Sequence, residues 1–291
     1  MFTTFLDIVI GGLLLGGIFA LIAVGLSLQY GVARVLNIAH GEFIMLGAIG
    51  TWWLHTELGV NPLVSLAFSG PIAFIIGFII HRSLFQRLRS TSASSGAFEG
   101  RSLLAAFGLL FIIQNLAILI WGADIKSYSY LAFPVNLGGA VFGANRLVIL
   151  GFALVIGLAF YLFLARTRLG KAIRAAAQDP EAAGLMGVNI NRVLAICFGL
   201  GALMAGLAGS LLSMAYPLNA TMGLPYTIIA IIVVVLGGMG SIPGSFLGGF
   251  ILGLVGSVVT YFVDPLVSLA AYYVLFMLLL LVKPAGILGK R

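Results

Sequence analysis

The chain has 291 residues, of which 62% are hydrophobic and only 8% are charged. A water-soluble protein of this length needs many more charged residues to hydrate its surface, so the composition excludes that class. The formal net charge of +7 comes without a dense basic patch interleaved with aromatic residues, which argues against nucleic acid as a partner.

Apolar stretches of a length that crosses a bilayer follow one another along the chain. Lipid cannot satisfy backbone polar groups, so such stretches must be α-helical or covered by protein. We therefore predict an all-α polytopic membrane helix bundle, one domain over 1–291, with about nine transmembrane segments and a range of eight to ten. The segments are 5–30, 37–55, 61–81, 101–121, 146–165, 191–216, 222–239, 243–263 and 265–283.

The basic residues fall mainly on one side of this arrangement. Nine crossings with an external N-terminus place 13 of the 15 Lys and Arg residues in one set of loops, and only Lys126 and Arg146 in the other. Cytoplasmic loops carry such an excess, so the pattern predicts a cytoplasmic C-terminus. The first four and last four segments then have opposite orientations, as an inverted repeat would. The residues assigned to the cytoplasmic side are Arg34, Arg82, Arg87, Arg89, Arg101, Arg166, Arg168, Lys171, Arg174, Arg192, Lys283, Lys290 and Arg291.

A few polar side chains lie inside the predicted membrane segments. Asn37, His40 and Glu42 interrupt the start of the second segment. Charged groups within the membrane are costly and often functional, which suggests that these residues line the inner end of a pore. The alternative, which we favour, is a polar cluster that satisfies backbone groups at a helix break. Gln114 and Asn115 lie in the middle of the fourth segment, where amides line pores or bond between helices.

A polar segment, 166–191, separates the fifth and sixth membrane segments. Its Asp-Pro pair is typical of a helix start, because the carboxylate accepts hydrogen bonds from free N–H groups and proline has no N–H to lose. The acidic residue that follows suits the helix dipole, two alanines leave a surface that a partner can approach, and a glycine is placed to end the helix. These features favour a docking helix over a plain loop. Its residues are Asp179, Pro180, Glu181, Ala182, Ala183 and Gly187.

Three stretches in order along the chain carry a family resemblance. They read GVARVLNIAHGEFIMLGA at 31–48, GKAIRAAAQDPEAAGLMGVN at 170–189 and VLGGMGSIPGSFLGG at 235–249. The second resembles the EAA loop of ABC-importer permeases, although the Ile and Leu-Pro that usually follow are absent. Together the three resemble the branched-chain amino acid permease family, the Liv type, and within it the shorter H-type subunit.

The resemblance implies a permease subunit of an ABC importer in the bacterial inner membrane, moving branched-chain or related small amino acids. A second related permease subunit would complete the pore, and an external binding protein would deliver the substrate. Two cytoplasmic ATPases would bind ATP and Mg and couple to the pore through the 166–191 segment. This chain lacks a phosphate-binding loop, so we expect it not to hydrolyse ATP. We also expect no cofactor, metal site or catalytic residue in it, since its sequence shows no nucleophile–base or metal-ligand cluster.

The longest external loop, 122–145, is the predicted docking place for the binding protein. An interfacial aromatic belt explains its tyrosines equally well. The candidate docking residues are Asp124, Lys126, Tyr128 and Tyr130.

Two alternative functions remain open from the sequence. The same family resemblance extends to permeases for urea and short amides. An ion-coupled secondary transporter that works alone is a different class, and would be expected to show paired carboxylates in mid-membrane, a pattern that only Glu42 approaches here.

Overall fold

The computed structural model describes residues 2–283 and 285–289, and these form a helical bundle with one small hairpin. Lys290 and Arg291, two of the basic residues assigned to the cytoplasmic side, lie outside the described residues. In chain order the helices are α1 (Phe2–Leu28), α2 (His40–Leu58), α3 (Pro62–Ile80), α4 (Gln86–Thr91), α5 (Ser95–Trp121), α6 (Ala144–Arg166), α7 (Arg168–Gln178), α8 (Pro180–Leu185), α9 (Ile190–Ser213), α10 (Gly223–Gly237), α11 (Ile242–Phe262) and α12 (Ser268–Val282).

Irregular turns extend or join several of these helices. A π-helical turn at Gln29–Ala33 extends α1, a second at His81–Phe85 joins α3 to α4, and a 3-10 turn at Pro265–Val267 leads into α12. Strands β1 (Pro134–Leu137) and β2 (Ala140–Gly143) pair antiparallel in the loop between α5 and α6. This hairpin was not predicted from the sequence.

Six helical stretches among the described residues are long and apolar enough to cross a membrane, and α10 and α12 are apolar but shorter. This confirms an all-α polytopic membrane protein, while the number of nine segments remains a prediction. The six stretches are Thr3–Ala33, Pro62–Thr91, Ser95–Trp121, Ala144–Arg166, Ile190–Ser213 and Ile242–Phe262.

Some helix ends differ from the predicted segments for local reasons. The fourth segment was predicted from residue 101, but α5 begins at Ser95 because the Ser94 hydroxyl accepts a hydrogen bond from the Ala97 N–H at 3.2 Å. A serine cap is a polar signal that an apolar-length criterion does not register. The second segment was predicted from residue 37, whereas α2 begins at His40.

Helix α9 is the centre of the bundle. Its side chains from Val193 to Ser213 are buried along most of its length, and it packs against α1, α2 and α3. Helix α1 packs on α9 and also along α11. By contrast, α3, α5, α6 and α12 expose large apolar side chains on their outer faces, including Ile75, Phe111, Val155 and Met277. An apolar exterior around a packed interior is the arrangement expected in lipid.

Candidate functional site

The polar segment folds as two short helices, α7 and α8. At the start of α7 the Thr167 hydroxyl accepts a hydrogen bond from the Gly170 N–H at 3.0 Å. Ile173 and Ala176 are buried on one face, while Lys171 is exposed on the other, so α7 is amphipathic as its spacing predicts. The Arg174 guanidinium donates to the Leu164 carbonyl and ties α7 to the end of α6.

Helix α8 begins where the Asp-Pro pair predicts. The Asp179 carboxylate accepts hydrogen bonds from the N–H groups of Glu181 and Ala182, at 2.9 and 3.0 Å, and Pro180 is the first helical residue. Each bond satisfies an N–H that a helix start leaves without an internal partner. The predicted helix start is therefore confirmed.

Helix α8 also ends as predicted. Gly187 has φ +85°, the left-handed conformation that costs other residues energy. The Val188 N–H donates to the Ala183 carbonyl at 3.1 Å, and the Gly187 N–H to the Gly184 carbonyl at 3.0 Å. These two bonds form a Schellman motif, which fixes the direction in which the chain leaves the helix.

The exposed surface of α8 differs in part from expectation. Ala183, one of the two alanines predicted to leave an open surface, is buried, whereas Ala182 is exposed. Leu185 and Met186, which were not among the predicted docking residues, are 90% and 86% exposed. Their signal in the sequence is an apolar pair directly before the helix-ending glycine. Two adjacent, almost fully exposed apolar side chains on a polar segment form an apolar spot at the end of α8.

We expect Asp179→Ala to loosen α8 without disrupting the membrane bundle. Loss of an N-cap of this kind costs about 0.5–2 kcal/mol of helix stability. Hydrogen–deuterium exchange at residues 181–188 should become faster, while exchange in α9 stays unchanged. Asp179→Asn is the control, because asparagine caps about as well; fast exchange in both variants would contradict the capping role.

A polar cluster lies at the break between α1 and α2. The Asn37 amide donates to Oε1 of Gln29 at 3.2 Å, and the Gln29 amide donates to the Phe198 carbonyl at 3.0 Å. Nε2 of His40 lies 3.0 Å from the Ile22 carbonyl and donates to it. Asn37 and His40 are fully buried; Asn37 bonds to Gln29 in the turn after α1, His40 bonds to the backbone of α1, and Gln29 carries the link to α9. Gln29 is the member that the sequence analysis missed. A pore-lining role for Asn37 and His40 stays a prediction.

The starts of α2 and α10 meet beside this cluster, in what we call the α2–α10 junction (residues 38–42 and 223–227). The Gly41 N–H donates to Oγ1 of Thr227 at 2.8 Å, and that hydroxyl lies 3.0 Å from the Ile38 carbonyl. A methyl group on Gly41 would overlap the Gly223 carbonyl, so the two backbones are in direct contact. Glu42 is 1% exposed and lies against Gly223, and its Oε2 finds no hydrogen-bond partner among the described residues.

The two helices leave the junction in opposite directions. Helix α2 runs toward Asn61, which Tyr130 of the loop 122–145 contacts. Helix α10 runs toward Gly240, which lies against Gly31 in the turn after the C-terminal end of α1. In transporters with inverted repeats, the substrate site typically lies where two discontinuous membrane helices, one from each repeat, meet at their N-terminal ends. The repeat itself remains a prediction, as does pore lining by Glu42.

We expect Thr227→Val to destabilise the protein by about 1–3 kcal/mol, because the buried Gly41 N–H and Ile38 carbonyl lose their shared partner. Valine has nearly the same shape, so the packing is kept. Thermal unfolding in detergent should show the loss. Thr56→Val is the control, since the Thr56 hydroxyl bonds only to the Trp52 carbonyl on its own exposed helix face. Equal unfolding temperatures for the two variants would refute the junction bond.

The two amides of α5 are less buried than those of the polar cluster. Gln114 is half-buried, and Asn115 is exposed on the outer face, where its side-chain N–H donates to the Phe111 carbonyl at 2.8 Å. That bond accounts for only one of the hydrogen bonds that the Asn115 amide group can make. Contact of either residue with a pore or a partner helix stays a prediction.

The loop 122–145, predicted to be external, is anchored to the ends of the bundle by three of its four candidate docking residues. The backbone of Lys126 pairs with Leu218, and its ammonium group lies 4.5 Å from the centre of the Trp52 ring. Burial raises the pKa of Tyr128 to about 12, so its hydroxyl stays protonated 2.8 Å from Oγ of Ser213.

Of the four candidate docking residues, Tyr130 also anchors the loop, and Asp124 faces outward. The Tyr130 hydroxyl donates to Oδ1 of Asn61 at 2.8 Å, whereas Asp124 is exposed. The loop thus forms a fixed cover over the ends of α2, α3 and α9. Docking of a binding protein on this cover stays a prediction.

Comparison with known proteins covers nearly the whole chain. The family described as the branched-chain amino acid transport system / permease component matches residues 8–283. The high-affinity branched-chain amino acid transport permease LivH of Escherichia coli is 33% identical over 99% of this chain and 97% of its own length. BraD of Pseudomonas aeruginosa, named for the same transport system, is 33% identical over 98% and 96%.

Similarity also extends to more distant proteins. A probable branched-chain amino acid transport permease LivH of Methanocaldococcus jannaschii is 27% identical over 87% of this chain and 80% of its own length. These matches extend over nearly the whole chain, so they include both the apolar helices and the polar segment 166–191. The chain belongs to the family of permease components of branched-chain amino acid transport systems.

Proposed function

We propose that the chain is a permease subunit of an ABC importer that moves branched-chain amino acids across the bacterial inner membrane. The observation that carries this proposal is the family match over residues 8–283, together with relatives named for that transport that align over nearly their full length. In this proposal the chain is one domain that crosses the membrane nine times, with its N-terminus outside and its C-terminus in the cytoplasm.

The coupling partner in this proposal is a cytoplasmic ATPase that covers α8. The exposed Leu185 and Met186 supply an apolar anchor, and the caps at both ends of α8 keep the anchor in a fixed orientation. A few side chains that become fully buried commonly carry most of the binding energy of such interfaces. ATP and Mg bind to the two ATPase subunits, and closure of those subunits moves α7 and α8 together with the ends of α6 and α9.

The remaining partners follow from the same class of importer. A second, related permease subunit completes the pore, and an external binding protein docks over the loop that carries Asp124. Within the pore, Glu42 at the α2–α10 junction and the amides of α5 are the candidates for contact with the moving substrate. Urea, short amides and an ion-coupled mechanism are not favoured, because the strongest matches carry names from branched-chain amino acid transport.

Substrate competition tests the proposed substrate class. Right-side-out vesicles that enclose ATP and Mg are prepared from cells that produce the full importer, and uptake of labelled leucine is measured in the presence of the binding protein with unlabelled competitors in excess. Isoleucine and valine should suppress leucine uptake, whereas urea, acetamide and ribose should leave it unchanged. Suppression by urea or acetamide but not by valine would assign the permease to amides instead.

A further inference from the structure

Arginine side chains converge on two adjoining cavities between α3–α4 and the start of α9. The first, of about 400 Å³, is lined by Arg82, Gln86, Arg87, Arg89, Ser90 and Asn191. The second, of about 230 Å³, shares Arg82, Gln86 and Asn191 with the first and adds Arg192 and Phe78. We refer to both together as the arginine cavities. They are separate from the coupling helix, the α2–α10 junction and the external loop.

The charge of the arginine cavities is uncompensated. No Asp or Glu is among the residues that line them in the described part of the chain. The guanidinium groups of Arg82, Arg87 and Arg192 make no hydrogen bond or ion pair with any described residue. The excess of arginine in cytoplasmic loops accounts for their number, but not for their convergence around one recess. Unpaired guanidinium groups with amide donors beside them fit an oxyanion, above all a phosphate.

An apolar path leads along α3 into the arginine cavities. Phe68, Ile72, Ile75 and Ile79 follow one another at three- and four-residue steps, and each is at least half exposed. Arg82 is the next residue at the same spacing, and Phe78 forms part of the cavity wall. Residues at these steps share one helix face, so the exposed apolar stripe of α3 ends in a basic recess directly after the predicted membrane segment 61–81.

From this arrangement we propose that the arginine cavities bind the phosphate of an anionic phospholipid of the cytoplasmic leaflet, with an acyl chain along the α3 stripe. A soluble phosphate shares the oxyanion chemistry but has no acyl chain that would pack on the apolar stripe. Basic pockets between membrane helices on the cytoplasmic side are a recognised form of lipid site. The lipid braces α3 against the start of α9, directly after the coupling segment.

Lipid binding to the full chain in detergent tests the proposal. Native mass spectrometry counts the phosphatidylglycerol and phosphatidylcholine molecules retained by the wild type, by Arg82→Gln/Arg87→Gln, and by Arg166→Gln/Arg168→Gln. Arg166→Gln/Arg168→Gln is the matched control, since it removes two basic residues that lie on the same predicted side of the membrane but do not line the arginine cavities. Arg82→Gln/Arg87→Gln removes two guanidinium groups that would contact the lipid phosphate, so it should weaken phosphatidylglycerol binding roughly tenfold or more, whereas the control keeps both groups.

The expected result is selective retention of phosphatidylglycerol by the wild type and the control, and its loss in Arg82→Gln/Arg87→Gln. Arg82→Lys/Arg87→Lys, which keeps the charge, should restore preference for phosphatidylglycerol, and size-exclusion chromatography verifies that each variant is folded. Equal loss in both glutamine variants would overturn the proposal, because it would reveal a general charge effect. Displacement of phosphatidylglycerol by excess inorganic phosphate would assign the cavities to soluble phosphate and overturn the lipid assignment.

Discussion

Replacement of Leu185 and Met186 by aspartate should reduce substrate uptake by about tenfold or more, because the two exposed side chains form the apolar anchor of the proposed ATPase contact. Both lie outside the packed bundle, so the variant should reach the membrane in normal amounts. The measurement is labelled leucine uptake by vesicles that contain the complete importer, with the amount of permease determined by immunoblot.

Two controls separate a lost contact from a general disturbance. Leu185→Met with Met186→Leu preserves the apolar volume and should keep uptake close to the wild-type rate. Met239→Asp places one negative charge on another exposed apolar residue, in the turn after α10, and should also transport normally. Normal uptake by the double aspartate variant would mean that the ATPases do not engage α8 through these side chains.

Gly41→Ala should be more damaging than its small change in volume suggests. A methyl group at this position would overlap the Gly223 carbonyl, and both residues are buried near the starts of their helices. Overpacking of this kind typically costs about 1–3 kcal/mol, and occasionally more. We therefore expect a lower unfolding temperature in detergent, less protein in the membrane, and uptake reduced in proportion or further.

Gly50→Ala is the matched control on the same helix. A methyl group there would have no neighbour within 4 Å, and alanine is the better helix former. The unfolding temperature of this variant should equal or exceed that of the wild type. If Gly41→Ala is as stable as Gly50→Ala, the backbone contact between α2 and α10 is not a structural requirement of the protein.

The parts of the structure that the sequence predicted well are those decided locally. The apolar stretches predicted membrane helices because lipid leaves the backbone no other partner. The bounds of α8 followed from Asp179, Pro180 and Gly187, since a cap and a left-handed glycine act on residues within one turn of themselves. The predicted fourth segment, 101–121, followed the apolar length alone, so it starts later than α5, whose first turn is polar and is capped by Ser94.

The parts that the sequence did not predict depend on contacts between distant residues. Gln29 reaches the Phe198 carbonyl across 169 positions, and Gly41 reaches Thr227 across 186. Among 39 glycines, nothing local distinguishes the one in backbone contact with α10 from one that faces open space. The orientation of α8 is also a tertiary property, which is why Ala183 was expected on the surface and lies beneath it.

Reconstitution tests the central claim most directly: that this chain is a permease moved by separate ATPases. Labelled leucine uptake is measured in proteoliposomes that contain this chain with its second permease, its two ATPases and the binding protein, and in matched liposomes without the ATPases. The account predicts uptake that requires ATP and Mg and disappears when the ATPases are left out. Uptake by this chain alone, driven by a proton or sodium gradient, would contradict it.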